Sequence, residues 1–321
     1  MRSCCLGMLT PDLPKKDRIL VIKLSALGDF VQAMGPFAAI RAHHPAAHLT
    51  LLTTRPYAAL AQASPYFDTV WIDARPRWWN WPVWLKQRQL WRGTRFDMVY
   101  DLQTSDRSSS YYRLMERPRW SGIARGCSHP HANPQRDFMH TLDRQAEQLA
   151  MAGIAVTPAP DLAWVRSDMT RYALPARYAL LVPGGAAHRP AKRWPASHYA
   201  SLAGALVQAG VTPVLLGTAS EGAVLDAIHA ACPQALALTG QTSFAEIITL
   251  ARHAVVALGN DTGPMHLIAA ANCPSVVLFS DASNPDLCAP RGRVTLLQVS
   301  DLTMLDVASV WEAVCTVLAS P

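Results

Sequence analysis

Carboxylates are scarce in this chain. Of 321 residues only 23 are Asp or Glu, and five of those are Glu, against 29 Lys and Arg. Charged residues total 16%, below the ~25% usual for globular chains, so an acid in a special setting stands out. The formal charge of +6 is too mild for a dedicated nucleic-acid binder and suits an anionic ligand or an anionic membrane surface. No apolar run reaches the ~18 residues of a membrane-spanning helix. The seven cysteines (4, 5, 127, 232, 273, 288, 315) are odd in number and scattered, without a C-x-x-C. Neither a zinc site nor a disulfide framework is suggested, and reduced thiols in a cytoplasmic protein are the plain reading. The opening MRSCCLGMLTPDLPKK lacks the apolar core and cleavage site of a signal peptide. A disordered leader is expected over 1–17, with Met8 a candidate for the true start.

Several familiar motifs are also missing. No G-x-G-x-x-G follows the first strand, which leaves a nicotinamide dehydrogenase unsupported. There is no G-x-x-x-x-G-K-[ST], G-x-S-x-G or H-E-x-x-H, and no Asp-x-Asp pair of the kind that holds Mg²⁺ or Mn²⁺ in metal-dependent sugar transferases. Positive charge at a reacting centre is then expected from Lys, Arg and helix N-termini.

What is present is a repeated α/β pattern. RILVIKL (18–24) reads as a strand buried on both faces. A helix is expected over about 29–42, with Phe30, Ala33, Met34, Phe37 and Ile40 on one face, then a strand over HLTLLT (48–53). TVWI and FDMVYDL continue the series, and a helix bearing Leu142, Ala146, Leu149 and Ala150 closes the first half. The proline-bearing stretch 155–167 suits an interdomain linker. The pattern restarts with YALLVP (178–183), a Gly-Gly turn and a helix over about 196–209. Strands TPVLLG, AVVALG and SVVLFS alternate with helices over 220–231, 244–250 and 264–271, and a last helix is expected over about 303–319. Fifty per cent hydrophobic residues suffice for two cores. Two α/β halves imply a two-lobed enzyme with ligands at the carboxyl ends of its strands.

Three segments follow the strands 18–24, 178–183 and 254–259 at such ends, and a fourth stands out by composition. Gly259-Asn260-Asp261-Thr262-Gly263-Pro264-Met265-His266 joins a buried strand to an apolar helix. Asp261 or Thr262 can cap that helix, Pro264 suits its first turn, and Gly263 admits a close ligand such as a phosphate. The plain alternative is a capped helix with His266 satisfied in place. Pro183-Gly184-Gly185 precedes Lys192-Arg193-Trp194-Pro195, where Lys192 can neutralise a leaving diphosphate or belong to a solvated basic loop. In Lys23-Leu24-Ser25-Ala26-Leu27-Gly28-Asp29, Asp29 is either a helix cap or a general base. The fourth, from Arg77 to Arg95, carries five of the ten tryptophans (78, 79, 81, 84, 91) interleaved with cations. It is either a face at a lipid headgroup layer or a helix plugging the core. After FDMVYDLQ, Arg107 and Arg113 can meet an anionic acceptor or serve as ordinary surface arginines.

The ordered set KLSALGD, FDMVYDLQ, PGGAAHRPAKRWP, LGTASE, GNDTGPMH and a closing apolar helix resembles the ADP-heptose:lipopolysaccharide heptosyltransferases of glycosyltransferase family 9, particularly the heptosyltransferase II branch. The resemblance runs from about residue 18 to 318. It implies a GT-B fold of two Rossmann-like lobes: an acceptor lobe over 18–160, a nucleotide-sugar lobe over 168–300, and a C-terminal helix (301–321) packing back on the first lobe. It implies inverting, metal-free transfer of heptose from ADP-heptose to a lipopolysaccharide inner-core acceptor, with no cofactor. By the same resemblance Asp29 is the base and Lys192 contacts the donor phosphates. Asp261, Thr262, Gly263 and His266 wrap the diphosphate and sugar, with Gly185, Ala186, Glu221 and Thr242 near the nucleotide. Ser25, Gly28, Gln103 and Arg107 are expected on the acceptor side. The expected setting is the cytoplasmic face of the inner membrane, peripherally bound to a lipid-linked anionic oligosaccharide. Alternatives are a family 9 transferase for a protein or other glycan, and a non-catalytic nucleotide-sugar or membrane-binding module. The chain departs from the family pattern at Ser280-Asp281-Ala282-Ser283-Asn284-Pro285, where Gly-Pro usually follows SVVLF, at Pro264, where Leu is commoner, and in the tryptophan richness of 75–95.

Overall fold

A computed structural model describes residues 16–74, 79, 81–185 and 189–319, with the backbone alone at 86–88, 90 and 92. The leader expected over 1–17 therefore lies outside the described residues, Lys16 and Asp17 excepted.

The first sheet comprises β1 (Arg18–Ile22), β2 (His48–Thr53), β3 (Thr69–Ile72), β4 (Met98–Asp101), β5 (Trp120–Gly122) and β6 (His129–Pro130), ordered β3-β2-β1-β4-β5-β6. The second comprises β7 (Tyr178–Val182), β8 (Thr212–Leu215), β9 (Leu236–Ala237), β10 (Val256–Asn260), β11 (Ser275–Phe279) and β12 (Val294–Gln298), ordered β12-β11-β10-β7-β8-β9. Every pairing is parallel: Val21 lies between Leu51 and Tyr100, and Leu258 between Leu181 and Val276. Parallel neighbours need crossovers, supplied here by helices over both faces. That is why β1, β7, β10 and β11 read as apolar runs and are buried almost throughout. Counted within each lobe, both sheets have the doubly wound order 3-2-1-4-5-6. Each lobe thus has a crevice where the winding reverses, between β1 and β4 and between β7 and β10.

The crossover helices are α1 (Leu27–Gln32), α2 (Met34–His43), α3 (Arg55–Ala63), α4 (Trp81–Thr94), α5 (Asp106–Leu114) and α6 (Thr141–Met151) in the first lobe. Those of the second are α7 (Ala196–Gln208), α8 (Gly222–Ala231), α9 (Phe244–His253), α10 (Gly263–Ala270), α11 (Pro285–Cys288) and α12 (Val307–Ala319). The single helix expected over 29–42 is two, broken at Ala33. Pro36 has no N–H to give to Gln32, so the second helix must restart before it. Gly35 then meets the linker, where an added Cβ would stand 2.0 Å from the carbonyl oxygen of Pro158.

The linker is packed. Leu162 and Val165 are buried in one apolar cluster with Phe37 and Leu49 of the first lobe and Leu180 and Leu250 of the second. Arg252 donates to the carbonyls of Leu162 and Val165. One core therefore runs through both lobes. The closing helix corrects an expectation: α12 packs on α7, β10, β11 and β12, not back on the first lobe. Val310 and Val314 are its buried residues, and they fill the second lobe's outer cluster beside Leu202 and Leu278. Contact between the lobes is made instead by α1 on α10, and by α6 with the segment around residues 287–291.

Candidate active site

The two winding-reversal crevices face each other, and all four loops at them carry candidate residues. In the first lobe the turn after β1 is fixed from behind. Gln103 Oε1 accepts the N–H groups of Leu24 (2.8 Å) and Ser25 (3.0 Å), spending the Gln103 carbonyl on backbone. Asp29, half-buried in the first turn of α1, accepts the N–H of Ala26 at 3.2 Å. The cap reading of Asp29 is thus realised, and a carboxylate has lone pairs left for a proton. Gly28 lies under His266: an added Cβ would be 2.7 Å from the imidazole Cδ2. Gly263 lies against Leu27 in the same way, at 2.6 Å from its Cβ. The two glycines of the facing motifs let α1 and the start of α10 touch.

His266 is buried, and its Nδ1 lies 3.5 Å from Gln32 Nε2, which also donates to the carbonyls of Cys288 (3.2 Å) and Ala289 (3.5 Å). Burial pushes the imidazole pKa down, while the Asp261 and Asp29 carboxylates pull it partly back. At neutral pH the ring is uncharged.

In the second lobe Lys192 Nζ meets Asp261 Oδ2 at 2.6 Å, both side chains nearly buried, and Ser283 Oγ donates to the same oxygen at 2.7 Å. Ser283 comes from the loop that departs from the family pattern. Cys288 marks where the lobes converge. Its thiol is pushed up to about 11, first by burial and then by Asp261, with Lys192, Asp29 and Arg189 also acting on it.

Asn260 organises the donor-side loops and was missed as a site residue in the sequence. It is fully buried. Its Nδ2 donates to the carbonyls of Pro183 (2.9 Å) and Gly184 (3.1 Å). Its Oδ1 accepts Trp194 N–H (3.0 Å) and Tyr199 O–H (3.2 Å). One amide thus ties the turn after β7 to the Lys192 loop and α7. Glu221 has a similar duty: it accepts Gly185 N–H and Thr218 N–H, each at 2.7 Å, and the Thr218 hydroxyl. It presses so close to Gly184 that a Cβ there would overlap it at 1.9 Å. Arg193 donates to the Gly185 carbonyl. Thr262 is the N-cap residue of α10, yet its hydroxyl turns to the Asn260 carbonyl (3.2 Å) and leaves the helix N-terminus to other partners. Thr242 lies half-buried just before α9, and Ala186 lies outside the described residues.

Arg107 bonds Tyr111 Oη at 2.7 Å and faces the buried Asp73 at 3.4 Å, with Trp84 5.6 Å from its guanidinium. The tryptophan segment divides between its two readings. Trp91 is buried against Tyr111, ring centroids 4.6 Å apart, whereas Trp79 and Trp81 are 54% and 66% exposed beside Leu85 at 50%. Arg77, Trp78 and Asn80 lie outside the described residues. No helix among the described residues is long and apolar enough to cross a membrane.

A family model described as glycosyltransferase family 9 (heptosyltransferase) matches residues 84–299. The chain belongs to glycosyltransferase family 9. Lipooligosaccharide heptosyltransferase 2 of Haemophilus influenzae is 38% identical to this family 9 chain over 129 residues, which is 38% of this chain and 37% of that relative. The match therefore spans well under half of the relative's length. The crystal structure of a family 9 glycosyl transferase from Veillonella parvula superposes with a TM-score of 0.81 at 20% identity, over 94% of this chain and 97% of that one. The Escherichia coli ADP-heptose lps heptosyltransferase II gives 0.77 at 23%, over 94% and 98%. These superpositions establish the fold as GT-B, the α/β arrangement expected from the sequence.

Proposed function

We propose that this family 9 chain transfers heptose from ADP-heptose to a lipopolysaccharide inner-core acceptor, with inversion and without a metal. The observation that carries the reading is the close approach of Gly28, next to Asp29 in the first lobe, to His266 of the second, whose loop also holds Asp261 paired with Lys192. The acceptor occupies the crevice between β1 and β4, in a lobe of residues 18–160. The donor occupies the crevice between β7 and β10, in a lobe of 168–300. Relatives named for heptose transfer support the sugar and the acceptor class.

In this mechanism an Asp29 oxygen takes the proton of the acceptor hydroxyl. The hydroxyl oxygen bonds to the anomeric carbon from the face opposite the diphosphate, the bond to the phosphate oxygen breaks, and the electron pair leaves on ADP. Lys192 and the backbone N–H groups at the start of α10 meet the charge that develops there. Donor phosphates compete with Asp261 for Lys192, leaving Asp261 and Ser283 to hold sugar hydroxyls. Asn260 and Glu221 keep both donor loops in place. Exposed Trp79, Trp81 and Leu85, in a segment rich in Lys and Arg, suit a protein held peripherally at the cytoplasmic face of the inner membrane.

The test is a transfer assay in EDTA with ADP-heptose and a Kdo-lipid A acceptor. The reading predicts an acceptor gaining one heptose of inverted anomeric configuration and stoichiometric ADP. Binding of ADP-heptose with no transfer to any glycan would leave a binding module instead. Transfer only to a protein or another glycan would move the acceptor class.

A further inference from the structure

His266 can present either a proton or a lone pair to the cleft, and a residue of the first lobe decides which. Gln32 ends α1, three residues after Asp29, and is buried. Its Nε2 lies 3.2 Å from the Cys288 carbonyl and 3.5 Å from both the Ala289 carbonyl and His266 Nδ1. The reverse orientation would set the amide oxygen against two carbonyl oxygens. The nitrogen therefore belongs here, and Oε1 is left unpaired. The amide has two hydrogens to give, and one goes to Cys288. The Ala289 carbonyl already accepts His140 Nε2 at 2.9 Å, since His140 Nδ1 is occupied by the Leu142 N–H. The second hydrogen of Gln32 thus falls to His266 Nδ1.

A donor facing Nδ1 makes that nitrogen an acceptor. Burial keeps the ring uncharged against the pull of Asp261 and Asp29, with His140 and Lys192 acting in the same sense as burial. A neutral imidazole has a single N–H, which is then on Nε2. The Cδ2–Nε2 edge lies over Gly28, where an added Cβ would stand 2.7 and 2.8 Å from those two atoms. Among the described residues Nε2 has no hydrogen-bond partner. Its N–H is therefore offered to a ligand on the Asp29 side of the seam. A proton on Nδ1 instead would set two donors face to face and turn a lone pair toward the oxygens of a bound diphosphate.

We propose that Gln32 is a positioning residue for His266: by giving a hydrogen to Nδ1 it keeps the proton on Nε2, and the ring donates to an oxygen of the bound sugar nucleotide next to Asp29. The proposal rests on the transferase reading for that ligand. The donor-lobe histidine is thus set by the acceptor lobe, about one helical turn from the base.

The test reads the tautomer without substrate, from the nitrogen NMR spectrum of the full chain labelled at its histidine rings. Wild type, Gln32→Met and Gln32→Glu are compared at neutral pH, with the His266 signals assigned by their loss in His266→Gln. Wild type should show Nε2 protonated and Nδ1 bare. Gln32→Met, similar in volume but without a donor, should give a mixture of tautomers. Gln32→Glu, which offers an acceptor, should draw a proton onto Nδ1. Calorimetry and steady-state kinetics run alongside. Gln32→Met should lose about tenfold in ADP-heptose affinity and in kcat/KM for that donor, with acceptor KM unchanged. A wild-type ring protonated on Nδ1 overturns the assignment even if no variant folds, and leaves the transferase reading standing. A Gln32→Met protein with the wild-type tautomer, or with mixed tautomers and undiminished ADP-heptose binding, overturns it as well. The expected tautomers and binding loss without any turnover support the role of Gln32 and count against the transferase.

Discussion

Replacing Asn260 by Ala should loosen the donor half of the site more than any single change at its surface. The amide makes four hydrogen bonds from a fully buried position, two given to the carbonyls of Pro183 and Gly184 and two accepted from Trp194 and Tyr199. Truncation leaves buried partners unpaired and opens a small cavity. At about 1 kcal/mol for each bond, the expected loss is about 3–5 kcal/mol. For one cooperative unit of 321 residues, at about 2.1 cal/mol/K per residue, each kcal/mol lowers the midpoint by about 1.5 °C, giving a fall of about 4–8 °C. Because one apolar cluster runs through both lobes, the melt should remain a single transition. Asn260→Asp should be at least as damaging at neutral pH, since a buried carboxylate then faces two carbonyl oxygens. It should partly recover as the pH falls and the acid regains a proton to donate. The assay is urea unfolding of the three proteins at two pH values, with ADP affinity measured alongside. A loss below about 1 kcal/mol for Asn260→Ala would refute the hub argument, because it would mean the four partners find water or one another at no cost.

Three further outcomes follow from the same geometry. Gly28→Ala places a Cβ 2.7 Å from the His266 ring, so the ring or α1 must shift. A loss of about 1–3 kcal/mol by unfolding, with reduced turnover, is expected. The pKa of Asp101 is raised to about 6 by burial, ahead of the hydrogen bonds and Lys23 that lower it, against 3.8 for a free Asp carboxyl. Its protonation therefore stabilises the fold fully below pH 3.8, and that contribution is lost as pH rises through about 6. Between pH 7 and 5 wild type should gain about 1–2 kcal/mol from this group, and Asp101→Asn should lack that gain in paired urea titrations. The double variant Trp79→Ser/Trp81→Ser should lose binding to anionic vesicles in flotation while keeping its melting midpoint, and equal flotation would remove those rings from any lipid contact.

The sequence made the interior strands and the facing loops legible because parallel strands buried on both faces must be apolar runs and the loops at their ends carry Gly, Pro and charge. Short and exposed elements left no such trace. Trp120–Gly122 and His129–Pro130 are too brief for any period, and β12 lies at a sheet edge with no buried residue and no alternation. Proline in the first helix region was visible, yet its break at Ala33 was hidden by an apolar face that continues on both sides. Asn260 was one letter in a motif, and only its buried position among four partners reveals its role. The closing helix was misplaced because an apolar face says that a helix is covered, not by what. Val310 and Val314 could have met either lobe, and the packing of α12 on α7, β10 and β11 decides it.

The most direct test of the account is the turnover of Asp29→Asn with ADP-heptose and the inner-core acceptor, read together with ADP affinity in the same preparation. Removal of a general base predicts a kcat lower by about 10²–10⁴-fold. ADP affinity should stay within about twofold, because Asp29 belongs to the lobe that does not hold the nucleotide. A variant that turns over like wild type would contradict the account, leaving Asp29 as a helix cap and the facing loops without their base.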